Sequence, residues 1–172
     1  MKTKTFLPIF IMFVFSFFAS ASLFAQEEET KSNIKYSNIT EFGFFATSPN
    51  SIFAEGTTVH GISIKNQHCI GLGIGFGGGA YFPSYSYLGT IYMPVFANYR
   101  LRFLPDRKLS PHVNLALGGI MLEESWGAYS SLTAGFKAGH FSFSSGFSCL
   151  AVWEGGEFFL PMGITIKCGF SF

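Results

Sequence analysis

Between His68 and Phe82 the chain alternates between small and bulky residues, a pattern interrupted at Gly78 and Tyr81. Cys69, Gly71, Gly73, Gly75, Gly77 and Gly79 fall on one parity, and Ile70, Leu72, Ile74, Phe76 and Ala80 on the other. A period of two places the two sets on opposite faces of an extended strand. The last residues repeat the pattern. Met162, Ile164, Ile166, Cys168, Phe170 and Phe172 oppose Gly163, Thr165, Lys167, Gly169 and Ser171. From Phe141 to Ala151, Phe141, Phe143, Phe147, Cys149 and Ala151 oppose Ser142, Ser144, Gly146 and Ser148. Segments 36–46, 57–66, 87–103, 112–122 and 127–139 alternate with less contrast, and no stretch keeps a 3.6-residue apolar period. The expectation is an all-β chain of about eight strands.

The chemistry of the two faces decides the solvent. A water-facing surface carries many Lys and Glu. Here charged residues are 12% of the chain, about half the usual share, and the non-apolar face is mostly Gly and Ser. Small polar residues suit the crowded inside of a narrow barrel. Phe, Ile, Leu and Met on the other face suit lipid. Apolar-out, polar-in alternation is what a membrane barrel requires, and closure is needed because an open edge in hydrocarbon leaves backbone groups unpaired. The fold expected is an eight-stranded antiparallel up-and-down transmembrane β-barrel over residues 36–172. The same composition excludes disorder. The formal net charge of +1 excludes a basic nucleic-acid binder, so no nucleic-acid partner is expected.

The N-terminus reads as an address. Lys2 and Lys4 precede an apolar run from Phe6 to Phe18, and small residues lead to Leu23-Phe24-Ala25 before Gln26-Glu27-Glu28-Glu29. This is the three-part pattern of a secretory signal peptide, residues 1–25, cleaved after Ala25 or at the Ala19-Ser20-Ala21 site. Residues 26–35 read as a flexible periplasmic leader. Three cysteines, Cys69, Cys149 and Cys168, cannot form a complete disulfide framework in an exported chain. They read as small apolar side chains. Cys168 should stand opposite a residue near 144 rather than opposite Cys149.

The connections add a check. Asn66-Gln67, Leu104–Lys108 and Gly139-His140 read as inner turns. Thr47–Gly56, Pro83–Ser86, Glu123–Trp126 and Trp153–Leu160 read as outer loops. Tyr81, Tyr85, Tyr87, Tyr92, Trp126, Tyr129 and Trp153 cluster near the outer ends, where aromatic girdles sit. With these features the chain resembles small eight-stranded outer-membrane barrels of the OmpX/OmpA transmembrane type in Gram-negative bacteria, the bacterial porin-family barrels. The final strand, Ile164 to Phe172, is similar to the C-terminal signal of that family, with Phe170 and Phe172 as its aromatic positions. Tyr92-Met93-Pro94-Val95-Phe96-Ala97-Asn98-Tyr99-Arg100 resembles a recurrent strand of the same barrels. The resemblance implies the cell outer membrane as location and insertion by the outer-membrane barrel assembly machinery. It also implies contact with outer-membrane lipids and lipopolysaccharide, and a monomer without a reaction to catalyse. The function expected is a structural or narrow-pore component. The alternatives are a lipid-modifying barrel enzyme and a secreted, soluble, lipocalin-like ligand binder.

No catalytic, cofactor or metal site is expected. Gly73-Ile74-Gly75-Phe76-Gly77-Gly78 contains G-x-G-x-x-G, but a dinucleotide site needs that loop between a strand and a helix. Here the glycines lie inside a strand and make room for bulky neighbours such as Phe45 and Tyr92. His60, His68, His112 and His140 lack metal spacing. His60 with Ser63 or Ser51 is the one pairing a lipid-modifying enzyme could use, and His112 and His140 should meet water at the inner ends. Glu123-Glu124 and Glu154/Glu157 read as solvated outer-loop carboxylates. Glu41, Arg100, Arg102, Lys137 and Lys167 fall on the small face, where they can pair. Lys or Arg on the lipid face would cost ~2–4 kcal/mol at midplane. Glu41 and Lys167, on the first and last strands, should pair across the closing seam and stabilise it. The functional alternative is a polar path for small solutes.

Overall fold

The computed structural model describes residues 33–48, 51–81, 88–122, 125–154 and 157–172. The expected signal peptide and residues 26–32 of the leader lie outside them. The strands are β1 (Ile34–Ser48), β2 (Ser51–Ile64), β3 (His68–Tyr81), β4 (Leu88–Arg102), β5 (Leu109–Leu122), β6 (Trp126–Ala138), β7 (Phe141–Glu154), β8 (Glu157–Phe159) and β9 (Met162–Ser171). β8 and β9 both pair with β7 and together make one stave. Each stave pairs antiparallel with its sequence neighbour, and β1 pairs with β9 to close the ring. The fold is a closed, antiparallel, up-and-down eight-stave barrel. β1 already includes Ile34 and Lys35, the last residues assigned to the leader.

The register fixes the girth. Stepping from partner to partner around the ring leads from Ile34 through Ile64, His68, Leu101, Val113, Ala134, Ser145 and Ile166 to Phe44. One circuit therefore advances ten residues along β1. With spacings of about 3.3 Å along and 4.8 Å between strands, that offset corresponds to a tilt of roughly 40° and a radius of about 8 Å. A 14-residue strand such as β2 then rises roughly 35 Å, enough to cross a hydrocarbon layer of about 30 Å.

The faces divide as the alternation requires. Phe42, Phe44, Leu72, Ile91, Val95, Leu117, Leu132, Phe147 and Ile164 are exposed on the outside. Glu41, Glu55, Asn98, Arg100, Arg102, Asn114, Thr133, Ser144, Thr165 and Lys167 are buried inside. Ile39, Phe45, Val59, Phe96, Ile120 and Leu150 are buried beside them as an apolar cluster, so the inside is mixed while the outside is apolar, a distribution a water-soluble domain does not have. Pro94 lies on β4, and the β3–β4 ladder skips from Ile74↔Val95 to Gly77↔Tyr92 around it, because proline has no N–H to contribute.

The inner turns are tight. Lys65 and Asn66 both have positive φ, and Gln67 N donates to Ile64 O at 3.0 Å. Gly139, at φ 61°, turns β6 into β7 with Ala138 facing Phe141. The left-handed conformation there suits a residue without Cβ.

The outer connections are shorter than the sequence implied. β2 begins at Ser51 instead of Thr57, so most of the expected loop 47–56 is strand. The ladder also runs on to Glu154↔Glu157 inside the expected loop 153–160. Between β5 and β6, Leu122 N donates to Ser125 O at 2.9 Å. Pro83–Ser86 and Glu123-Glu124 lie outside the described residues.

Candidate functional site in the barrel lumen

Five of the eight staves point charged side chains into the lumen. The flattest wall is β3, where glycine recurs at every inward position from Gly71 to Gly79. A Cβ at Gly77 would collide with the Tyr92 ring, and one at Gly73 with Phe96. The glycines thus let two aromatic rings lie against the sheet. Gly73-Ile74-Gly75-Phe76-Gly77-Gly78 is continuous strand, with no loop to hold a nucleotide.

The upper nest gathers around Glu55 of β2. Its carboxylate accepts from Lys167 Nζ at 2.6 Å, from Tyr92 Oη at 3.2 Å and from Tyr129 Oη at 3.1 Å. Lys167 also donates to Tyr129 Oη at 3.1 Å, and its ammonium lies 5.8 Å from the centre of that ring. Aromatic packing flanks the nest. Phe45 stacks on Phe53 at 4.6 Å, and Phe96 tilts against Tyr129 at 5.3 Å.

The second nest joins Glu41 of β1 to Arg100 of β4 at 2.5 Å. Ser142 Oγ donates to Glu41 at 3.5 Å, and Arg100 Nε donates to Asn114 Oδ1 at 3.3 Å. Glu41 and Arg100 stand on non-adjacent staves, so their bond crosses the lumen. Both pairs are almost fully buried. Buried pairs offset desolvation only with good geometry and extra hydrogen bonds, and these carboxylates have both.

The expected Glu41–Lys167 pair is not formed. Glu41 faces Gly169 across the seam, whereas Lys167 faces Gly43, and Gly43 faces Glu55 on its other side. Lys167 and Glu55 occupy one cross-strand row with only a glycine between them. Glu41 is one inward step away and takes Arg100 instead. Glu55 escaped the sequence reading because Ala54-Glu55-Gly56-Thr57-Thr58 offers little contrast between faces. Its signal was parity with Ser51, Phe53, Thr57 and Val59.

Toward the end of the barrel that carries Ile34 and Phe172, the lumen is less balanced. Arg102 Nη2 donates to Cys69 Sγ at 3.4 Å, and Lys137 Nζ to Ser171 O at 3.5 Å. Among the described residues neither cation meets a carboxylate within ion-pair distance. His112 is 1% exposed, so it is buried in the lumen instead of meeting water as expected. His140 is exposed and stacks on Phe172 at 5.1 Å.

The remaining assignments divide by direction. Trp126 and Trp153 are exposed cross-strand partners at the outer end. Tyr92 and Tyr129, both expected in the girdle, point inward by strand parity. Tyr92, also expected as a bulky lumen neighbour of the β3 glycines, lies there. His60 faces outward, with Tyr36 Oη 2.5 Å from Nδ1 and Asn38 Nδ2 at 3.3 Å. Ser51 and Ser63 are buried on the inward parity, so the sheet separates them from His60. Cys168 stands opposite Phe143 and Cys149 opposite Met162, and all three cysteines are free. Among the described residues no cluster of His, Cys, Asp or Glu could hold a metal ion. Glu154 and Glu157 are paired in register.

No protein-family model matches this chain, and no curated protein matches it. Among solved structures the chain is similar to the crystal structure of the N-terminal beta-barrel domain of Pseudomonas aeruginosa OprF. The match has a TM-score of 0.43 and 15% sequence identity, and it covers 82% of this chain and 98% of that one.

Proposed function

We propose that the protein is an integral outer-membrane β-barrel of the porin-family kind, a structural or narrow-pore component without catalytic activity. One observation carries this reading. A closed barrel presents Phe, Ile, Leu and Val outward around an interior that holds the ion pairs. Exposed apolar side chains on nearly every stave would be unsupportable in water, since contiguous exposed patches on soluble monomers rarely exceed a few hundred Å². In a bilayer the same surface is satisfied.

The protein in this reading is a Gram-negative export product, released from its signal peptide and inserted by the barrel assembly machinery. It stands as a monomer among outer-membrane lipids and lipopolysaccharide, with no nucleic-acid partner. Salt bridges and aromatic rings fill the lumen, which supports a structural role or at most a narrow path. The separation of His60 from Ser51 and Ser63 supports the non-catalytic reading.

The test is a denaturing gel of membrane fractions with and without boiling, followed by planar-bilayer recording. A heat-dependent mobility shift in the outer-membrane fraction and small or no conductance are expected. A protein confined to the soluble periplasm or medium, with no shift, would overturn the reading in favour of a secreted ligand binder.

A further inference from the structure

We infer that the lumen, at the end near Arg102 and Lys137, binds a small tetrahedral oxyanion of the phosphate or sulfate type. The inference goes beyond the proposed function and holds whether or not the barrel conducts.

Charge balance comes first. Glu41 and Glu55 are matched by Arg100 and Lys167. Arg102 and Lys137 add two cations with no carboxylate in ion-pair reach among the described residues. The register brings them together. Arg102 faces His112, while Lys137 faces Ser110 on the adjoining ladder. Lys137 lies within electrostatic reach of Arg102 and Arg100, and His112 of both guanidiniums and of the Glu41 carboxylate that Arg100 already matches.

Unpartnered donors come second. Arg100 Nη1, Arg102 Nε, Ser110 Oγ and Ser171 Oγ are buried without a hydrogen-bond partner in the protein. Arg100 is 1% exposed, Arg102 9% and His112 1%. Buried polar groups left unbonded each cost free energy, and guanidinium forks match tetrahedral oxyanions. One oxyanion offers several acceptors to this set and neutralises the surplus charge. Lys137 is only partly buried, which makes it the group nearest entry.

Such a phosphate could be free or belong to a lipid headgroup. The lumen faces away from lipid, so the free ion is the one inferred. The test uses the folded chain in an uncharged sugar-headgroup detergent. Potassium phosphate is titrated calorimetrically at constant ionic strength, with chloride as compensator. A saturable, one-to-one heat is expected, weakened about tenfold in each of Lys137→Gln and Arg102→Gln. Glu55→Gln, in the other nest, retains the binding. Should Arg102→Gln fail to fold, Lys137→Gln at the partly exposed rim decides alone. In a second arm, phosphatidylglycerol replaces phosphate in the same micelles. No saturable phosphate heat, equal binding by the Lys137 variant, or binding of the lipid alone would each overturn the inference.

Discussion

Lys167 and Glu55 meet across Gly43. The three residues stand in one row on β9, β1 and β2, and the ammonium reaches the carboxylate at 2.6 Å over a position without a side chain. A Cβ at Gly43 would lie 2.8 Å from Lys167 Cγ and 3.0 Å from Ile166 O. Gly43→Val should therefore push the lysine aside and destabilise the barrel by about 1–3 kcal/mol, the usual cost of overpacking. Urea unfolding in lipid vesicles measures it. An unchanged midpoint would show that Gly43 does not govern the pair.

Breaking the same pair chemically should cost more than deleting it. Lys167→Met leaves Glu55 buried with only hydroxyl partners, at a cost of about 3–5 kcal/mol. The double variant Glu55→Gln/Lys167→Met should recover part of that loss. A double-mutant cycle in which the two losses simply add would mean the residues are not coupled.

The Glu41–Arg100 bond is read here as structural. Glu41→Gln removes the anion facing a buried guanidinium and should lower stability by several kcal/mol, leaving single-channel conductance near the wild-type value. Unchanged stability with altered conductance would reverse the assignment and make the pair part of a solute path.

Val95 tests the solvent outside. It lies mid-strand on β4, opposite Ile74, and is 47% exposed. Val95→Arg should cost ~2–4 kcal/mol in a bilayer, whereas a surface charge on a water-facing sheet costs within about 0.5 kcal/mol. Comparing unfolding of the two proteins in vesicles discriminates the cases.

Phe172 is exposed, and its N and O both bond Asn38 at 2.9 Å. Those are backbone bonds that any residue can keep. Phe172→Ser should thus spare refolding of purified protein while reducing the heat-shifted fraction in cells, if the aromatic end is a signal for assembly. Equal losses in both settings would make it a packing residue only.

Much of this was legible beforehand, for a physical reason. A strand's side chains alternate without drift, so parity read at Gly71 or Ile164 holds along the whole element. That is why Arg100, Arg102, Lys137 and Lys167 could be set inside from the sequence. Pairing across the lumen was not legible, because it depends on the offset accumulated around the ring, and no local pattern encodes ten residues. Residue type competes with parity at Tyr92 and Tyr129, whose aromatic rings suit a girdle although their parity points to Glu55. At Glu55 itself, small neighbours on both faces hid a strand that the ladder makes plain.

The closing seam carries a kinetic consequence. Ile39 meets Ser171, and Ala46 meets Ile164, so the ring is closed by the two most distant parts of the folded chain. Contacts this distant in sequence form slowly. Until they form, the half-built sheet carries two unpaired borders able to recruit any extended chain. The finished barrel has no such border, so its exposure to stray pairing is confined to the interval in which the seam stands ajar.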